Sequence, residues 1–291
     1  MAKPSCDIEK VYKEFGTIDS YFYEEENNGT TSLISKGLID NYCHYENKSG
    51  NGNCHNDYFE MTSSSVIHLI NNLKGKCGLD FDKLAEYAIL WLSFKLNKKP
   101  QHKFAKLNDF YNSHIENNKC YNDIIKDSPS MTYKKIIDTK KDLMNIKEIS
   151  KFDGPFSILY YLYYGISDVV IDCGENLKIA NSFVNQFNDL NNDPNNKENS
   201  SYNKLLSTLS NDYNNLKKLY KKKSCDFPDP PGLTPQTSPV DNSVKVSGQT
   251  FGETSEGTSS NSLIASKLIP ALLTFSVIPV FLGVAYKVNN K

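Results

Sequence analysis

Residues 84–96 read LAEYAILWLSFKL, and a helix drawn through them is apolar on most faces. A helix that is hydrophobic nearly all round has to be buried on all sides, so this segment is expected to be the central helix of a helical domain. Pro100 lies just past its end, where a proline commonly follows a helix. Working outward, apolar residues keep recurring at steps of three and four. Ile8, Val11, Tyr12, Phe15 and Ile18 form one stripe, and Val66, Ile67, Leu69, Ile70 and Leu73 form another behind the cap-like run 62–65. Phe104, Leu107, Phe110, Tyr111 and Ile115 mark a further helix. Pro155 suits a first helical position and leads into FSILYYLYY. Leu177, Ala180, Val184, Phe187 and Asn191, with Phe183 beside them, mark the next. Tyr202, Leu205, Leu206, Leu209, Tyr213, Leu216 and Tyr220 complete the last long one. No alternating strand or hairpin pattern stands out, so residues 1–225 are expected to form an all-α domain.

Composition supports a packed core, with 38% hydrophobic residues, 18 Tyr and 15 Phe among 291. The formal net charge is -1, which gives no electrostatic case for nucleic acid. Every basic residue is Lys, so the chain has no guanidinium with which to clamp phosphate or carboxylate bidentately.

The 7 cysteines are more than an average cytosolic domain carries and point to an oxidising location, with one thiol left over. Cys6, Cys43, Cys54, Cys77, Cys173 and Cys225 are the candidates for structural crosslinks. Cys43-His44 and Cys54-His55 invite a zinc reading, but adjacent Cys and His point different ways and the spacing fits no standard finger. A Cys43–Cys54 disulfide closing a small Asn- and Gly-rich loop is the favoured alternative.

The C-terminal part changes character. Residues 226–262, from PDPPGLTPQTSP to SEGTSSNS, lack the large apolar residues of a core and read as an extended, then flexible, stalk. Residues 268–286, LIPALLTFSVIPVFLGVAY, carry no charge. With residues 263–265 they approach the ~30 Å hydrocarbon thickness at ~1.5 Å per helical residue. Pro270 and Pro279 are tolerated in a bilayer span, so 263–287, with Leu268, Gly283 and Tyr286 in it, is expected to be a transmembrane helix. Residues 288–291 then form a short tail. Lys287 and Lys291 after the span, against Lys267 before it, bias that tail toward the cytosol. The start has no apolar signal-peptide core, so export would rely on the C-terminal segment.

Nothing in the chain reads as a catalytic motif. There is no nucleophile elbow, phosphate-binding glycine loop or His-Glu-x-x-His helix, and no carboxylate pair reads as an acid–base couple. No enzyme activity, cofactor or metal site is therefore expected. His68 and His114 lie near apolar helical faces and read as packing or surface residues. Tyr160, Tyr161, Tyr163 and Tyr164 cover most sides of one helix and read as core. Lys217, Lys218 and Lys221 to Lys223 form a basic helix end, a solvated face in favourable contact with the helix dipole. Sequons at Asn28, Asn47 and Asn199 fall in loop-like stretches and are weak signals in an Asn-rich chain.

Several stretches together resemble the Plasmodium interspersed repeat (PIR) variant antigens. They are YAILWLSFKLN (87–97), LNDFY (107–111), MNIKEISKF (144–152), FVNQFNDLN (183–191), YNKLLSTLSNDYNNLKK (202–218) and KLIPALLTFSVIPVFLGVAYK (267–287). The resemblance implies a helical ectodomain on a variable stalk with a single span and a short cytoplasmic tail. It also implies export to the infected red-cell or parasite membrane, with roles in antigenic variation, immune evasion and host-cell adhesion. The partners it implies are the lipid bilayer and a host-cell or immune receptor. The sequence departs from the family where Tyr160 replaces a frequent cysteine and where Cys173 is followed by Asn176 instead of completing Cys-x-x-Cys. This leaves Cys173 without an assigned partner. A reading from a different class is a tail-anchored intracellular scaffold or trafficking component with reduced cysteines.

Overall fold

The computed structural model describes residues 7–43, 52–146, 149–166 and 171–236. Long helices dominate it: α1 (Ile8–Asp19), α2 (Tyr58–Asn72), α3 (Phe81–Asn97), α7 (Asp153–Gly165), α8 (Cys173–Asn191) and α9 (Ser201–Lys221). Short helices α4 (Leu107–Phe110), α5 (Tyr133–Asp138) and α6 (Lys141–Asn145) fill the path between α3 and α7. Short polar residues start most of the long ones. Asp7, Asp57, Asp80, Asp172 and Ser200 each accept hydrogen bonds from backbone N–H groups in the first turn. Such a cap satisfies donors that the helix itself cannot, for about 1 kcal/mol each.

α3 is the centre, as its composition requires. Residues 84–96 are all buried, and Trp91 is among the largest fully enclosed side chains. α1 and α7 pack on it through aromatic rings, with Phe15 against Tyr87 and Phe156, and Phe94 against Phe156 and Tyr160. α9 closes the far side, where Phe183 of α8 stacks on Tyr213 with centroids 4.2 Å apart. In the α7 tyrosine run, Tyr160 and Tyr163 are buried while Tyr164 is exposed.

The hydroxyl run 62–65 lies inside α2 and not in front of it, because Asp57 supplies the cap. All of these residues are buried. Thr62 and Ser65 donate to carbonyls one turn back, at 2.8 Å each, while Ser63 and Ser64 donate outward to the His114 and Ile39 carbonyls. The run thereby fastens α2 to its neighbours.

Two regions depart from the sequence expectation. The all-α reading is corrected by a β-hairpin, β1 (Phe22–Asn27) paired antiparallel with β2 (Thr30–Ser35). Its turn is Asn28-Gly29, both at positive φ (52° and 76°), the conformation of a two-residue hairpin turn. Glu25, Glu26 and Thr30 to Ser32 hide the strand pattern, since this end of the hairpin stands in solvent and needs no apolar alternation.

The second departure lies at the stalk. Residues 226–236, assigned by composition to the stalk, run back along the domain. Phe227 is buried against Tyr220 and Tyr213, and the Tyr213 hydroxyl donates to the Pro228 carbonyl at 3.0 Å. Further along, the Asn191 amide donates to the Gly232 carbonyl at 2.8 Å, and Gln236 N–H donates to the Asn196 carbonyl at 2.6 Å. Proline-rich sequence can be held in place when the helices beside it offer an aromatic wall and amide side chains. Among the described residues no helix is long and apolar enough to cross a membrane. The expected span at 263–287, with Leu268, Pro270, Pro279, Gly283 and Tyr286, lies outside the described residues, as do the rest of the stalk and the tail.

Candidate functional site

The elements least committed to the core are the hairpin and the 3₁₀ turn Gly37–Tyr42 that follows it. They form a layer on α2 and the end of α3. At its base Phe22 and Ile39 are fully buried, while Glu25, Glu26, Asn28 and Thr30 at the tip are exposed.

Charge fixes the end of α1 and the base of the hairpin to α3 and the residues that follow it. Lys95 is buried, and its ammonium lies 2.8 Å from Asp19, 3.2 Å from the Phe22 carbonyl and 4.0 Å from the centre of the Phe22 ring. Burial drags the Lys95 pKa down to about 8, with the Asp19 carboxylate opposing it. Lys98 also holds Asp19, at 2.8 Å, and against the cost of burial the two lysines keep that carboxyl below the usual range. One step along the strand, Glu24 receives Lys99 at 2.7 Å and the His102 ring Nε2 at 3.2 Å. Breaking a buried pair by removing one partner is far more costly than the pair's net contribution, so these contacts fix position.

The 37–42 turn is held by hydrogen bonds from several directions. Ser64 donates to the Ile39 carbonyl, Asn118 to the Tyr42 carbonyl at 3.0 Å, and Asn71 to the Tyr42 hydroxyl at 3.1 Å. Cys43 ends the turn and is disulfide-bonded to Cys54, with Cα atoms 5.2 Å apart. The Cys54 N–H donates to Asp40 at 3.1 Å. Asp40, Cys43 and Cys54 lie close enough to resemble a ligand set, but both sulfurs are spent in the disulfide and neither can act as a thiolate. A Cβ on Gly52 would collide with the Cys43 carbonyl oxygen, so the neck of the loop needs glycine there. His44 lies outside the described residues, and His55 sits exposed at positive φ.

Elsewhere, Cys173 is bonded to Cys225 with Cα atoms 5.4 Å apart, tying the start of α8 to the end of α9. Cys77 is also disulfide-bonded, and Cys6 lies outside the described residues. Cys120 is a buried thiol.

The scaffold beneath holds a polar group that sequence inspection missed. Asp212 of α9 accepts from the Tyr12 hydroxyl at 3.0 Å and from Tyr87, and the Tyr163 hydroxyl donates to its backbone carbonyl at 2.6 Å. Burial pushes the Asp212 pKa up to about 7, with the two phenols acting the other way. Asp153 at the start of α7 is driven by burial up to about 8, with the Ser93 and Asn97 side chains acting the other way. These groups join helices inside the domain and face no solvent-open site, so they read as structural.

A solvent-facing hairpin tip on a disulfide-crosslinked helical scaffold is suited to presenting sequence outward. A model of the Plasmodium variant antigen proteins Cir/Yir/Bir matches residues 12–287. The chain belongs to this family. Among solved structures it is similar to a Plasmodium PIR protein ectodomain, at 31% identity and a TM-score of 0.55, over 77% of this chain and 99% of that one. No curated protein matches. In this Cir/Yir/Bir member the fold gives both Tyr160 and Cys173 a partner. Tyr160 is a buried ring against Phe94, and Cys173 takes Cys225 as its partner from across the sequence.

Proposed function

We propose that this chain is a variant surface antigen whose helical domain stands outside the membrane. In this reading the hairpin and the 43–54 loop are the displayed, changeable parts. The chain from 237 to 262 is the stalk, 263–287 the span and 288–291 the cytoplasmic tail. The bilayer is one partner, and a host-cell or immune receptor bound through the display layer is the other. Antigenic variation, immune evasion and adhesion are the roles this reading assigns, and display is the work of the domain in place of catalysis.

The observation that carries the proposal is the pairing of disulfide-linked cysteines with family membership. Cys43–Cys54 and Cys173–Cys225 belong in an oxidising compartment, and the similar solved structure is an ectodomain. Protease applied to intact infected cells, then after permeabilising the host membrane, tests it. An epitope in the helical domain should be digested in at least one of the two. Survival in both would favour the tail-anchored intracellular scaffold. Extraction by alkaline carbonate of the full-length chain as a soluble species would remove the anchor.

A further inference from the structure

Two histidines stand where the display layer meets the scaffold. His68 projects from α2 against Tyr21 and Tyr42, at ring distances of 5.4 and 4.7 Å, both edge to face. Those rings flank the hairpin and the 37–42 turn, and the Leu38 carbonyl of the same turn accepts from the imidazole. The other ring nitrogen, Nε2, is buried with no hydrogen-bond partner. His102, just beyond the end of α3, lies flat on Tyr58 of α2 at 3.6 Å and reaches β1 through Glu24. Its Nδ1 is likewise buried without a partner.

A neutral imidazole tolerates this arrangement, because its bare nitrogen is only an unused acceptor. A protonated ring must carry N–H on both nitrogens. At each site the added N–H would be buried with no acceptor, leaving a charged donor unmade. The groups around His68 that can titrate are Tyr21 and Tyr42, and no carboxylate pairs with it among the described residues. Around His102 stand Glu24 from β1, Lys95 from α3, Lys99 beside it, and Tyr58 from α2. Glu24 favours the cation, but it is already engaged by Lys99, and two ammoniums oppose a third positive charge.

We propose that His68 and His102 make the docking of the hairpin and the 37–42 turn on α2 acid-labile, so that this layer opens at mildly acidic pH while the helical scaffold stays folded. Burial lowers the pKa of both rings below the ordinary value, opposed by the Leu38 carbonyl at one and by Glu24 at the other. The sign follows. The docked state binds fewer protons than the opened one, so docking is at full strength above about pH 6.5 and is lost as pH falls below it.

Hydrogen–deuterium exchange on the full-length chain in detergent micelles tests this at about pH 7.5 and 5.5, with rates divided by their intrinsic values. The ratio of opening constants, residues 22–42 over α9, should rise on acidification by up to about tenfold per pH unit for each histidine. The rise should vanish in His68→Phe with His102→Gln, where Gln keeps a donor for Glu24 and neither residue titrates. It should persist in His114→Phe, since the ring contacts of His114 are with Phe59, Phe104 and Phe110 and not with residues 22–42. A wild-type ratio unchanged between the two pH values would overturn the proposal, as would a double variant that keeps the rise. Should the double variant not fold, imidazole NMR titration of the wild type decides. Both rings must titrate below about 6.5, and a value at or above it defeats the idea.

Discussion

The Asp212 cluster in the scaffold and the His68–His102 contacts under the hairpin are both polar groups placed among aromatic rings, yet protons act on them in opposite directions. Asp212 is a carboxyl that burial keeps protonated longer, so acid suits it. The histidines are bases that burial keeps neutral, so acid opposes them. A scaffold made firmer and a surface layer made looser by the same change can coexist in one chain only if the layer opens separately. The fold supplies that separation. The hairpin meets α3 and the residues just after it through lysines at the Phe22 carbonyl and ring and at Glu24, whereas α1 and α7 pack on α3 through buried rings and α9 reaches it through the Tyr87–Asp212 hydrogen bond.

Replacing Trp91 should strain this contrast most. Trp91→Ala empties the centre of α3 and should lower global stability by about 3–5 kcal/mol, read from denaturant midpoints. The loss should appear in full in the exchange of α3, α7 and α9 and be much smaller in residues 22–42, which open on their own. Asp212→Asn comes next. Because the folded-state pKa lies near 7 and the unfolded value near 3.8, the wild type should lose stability between about pH 4 and pH 7. The slope attributable to Asp212 is up to about 1.4 kcal/mol per pH unit. The Asn variant should lack that component, and identical pH profiles for the two proteins would show that Asp212 is not the buried acid described. The smallest effect belongs to the hairpin turn. Gly29→Ala places a side chain at φ 76°, which costs about 1 kcal/mol. It should speed exchange in 22–35 severalfold and leave the denaturant midpoint of the scaffold unmoved.

The two regions were also unequally legible. Helices α3, α7 and α9 announce themselves because a buried helix must repeat apolar residues every third or fourth position, and Leu84 to Leu96 or Tyr202 to Tyr220 do so without interruption. The hairpin does not, because one end of it is solvent-exposed and Glu24 to Glu26 serve water and lysines. Its one local signal is Asn28-Gly29, which with Thr30 also fits a sequon. The strap 226–236 escaped for a different reason. Its contacts come from Asn191, Asn196, Tyr213 and Tyr220, distant in sequence, and composition within a segment carries no record of what lies beside it. The partner of Cys173 was hidden in the same way, with 52 residues between it and Cys225.

The short distance between Cys43 and Cys54 carries a consequence for how the molecule can change. With both ends of the intervening segment pinned to the 37–42 turn and to the start of α2, its contour length is uncoupled from the positions of its anchors. Doubling the number of residues between the two cysteines adds only about 0.6 kcal/mol of closure entropy. An insertion or deletion made there should leave the helices where they are, provided Gly52 keeps its place beside the Cys43 carbonyl. The staple thus works as a bookbinder's clip, into which pages of any number can be set while the spine stays the same.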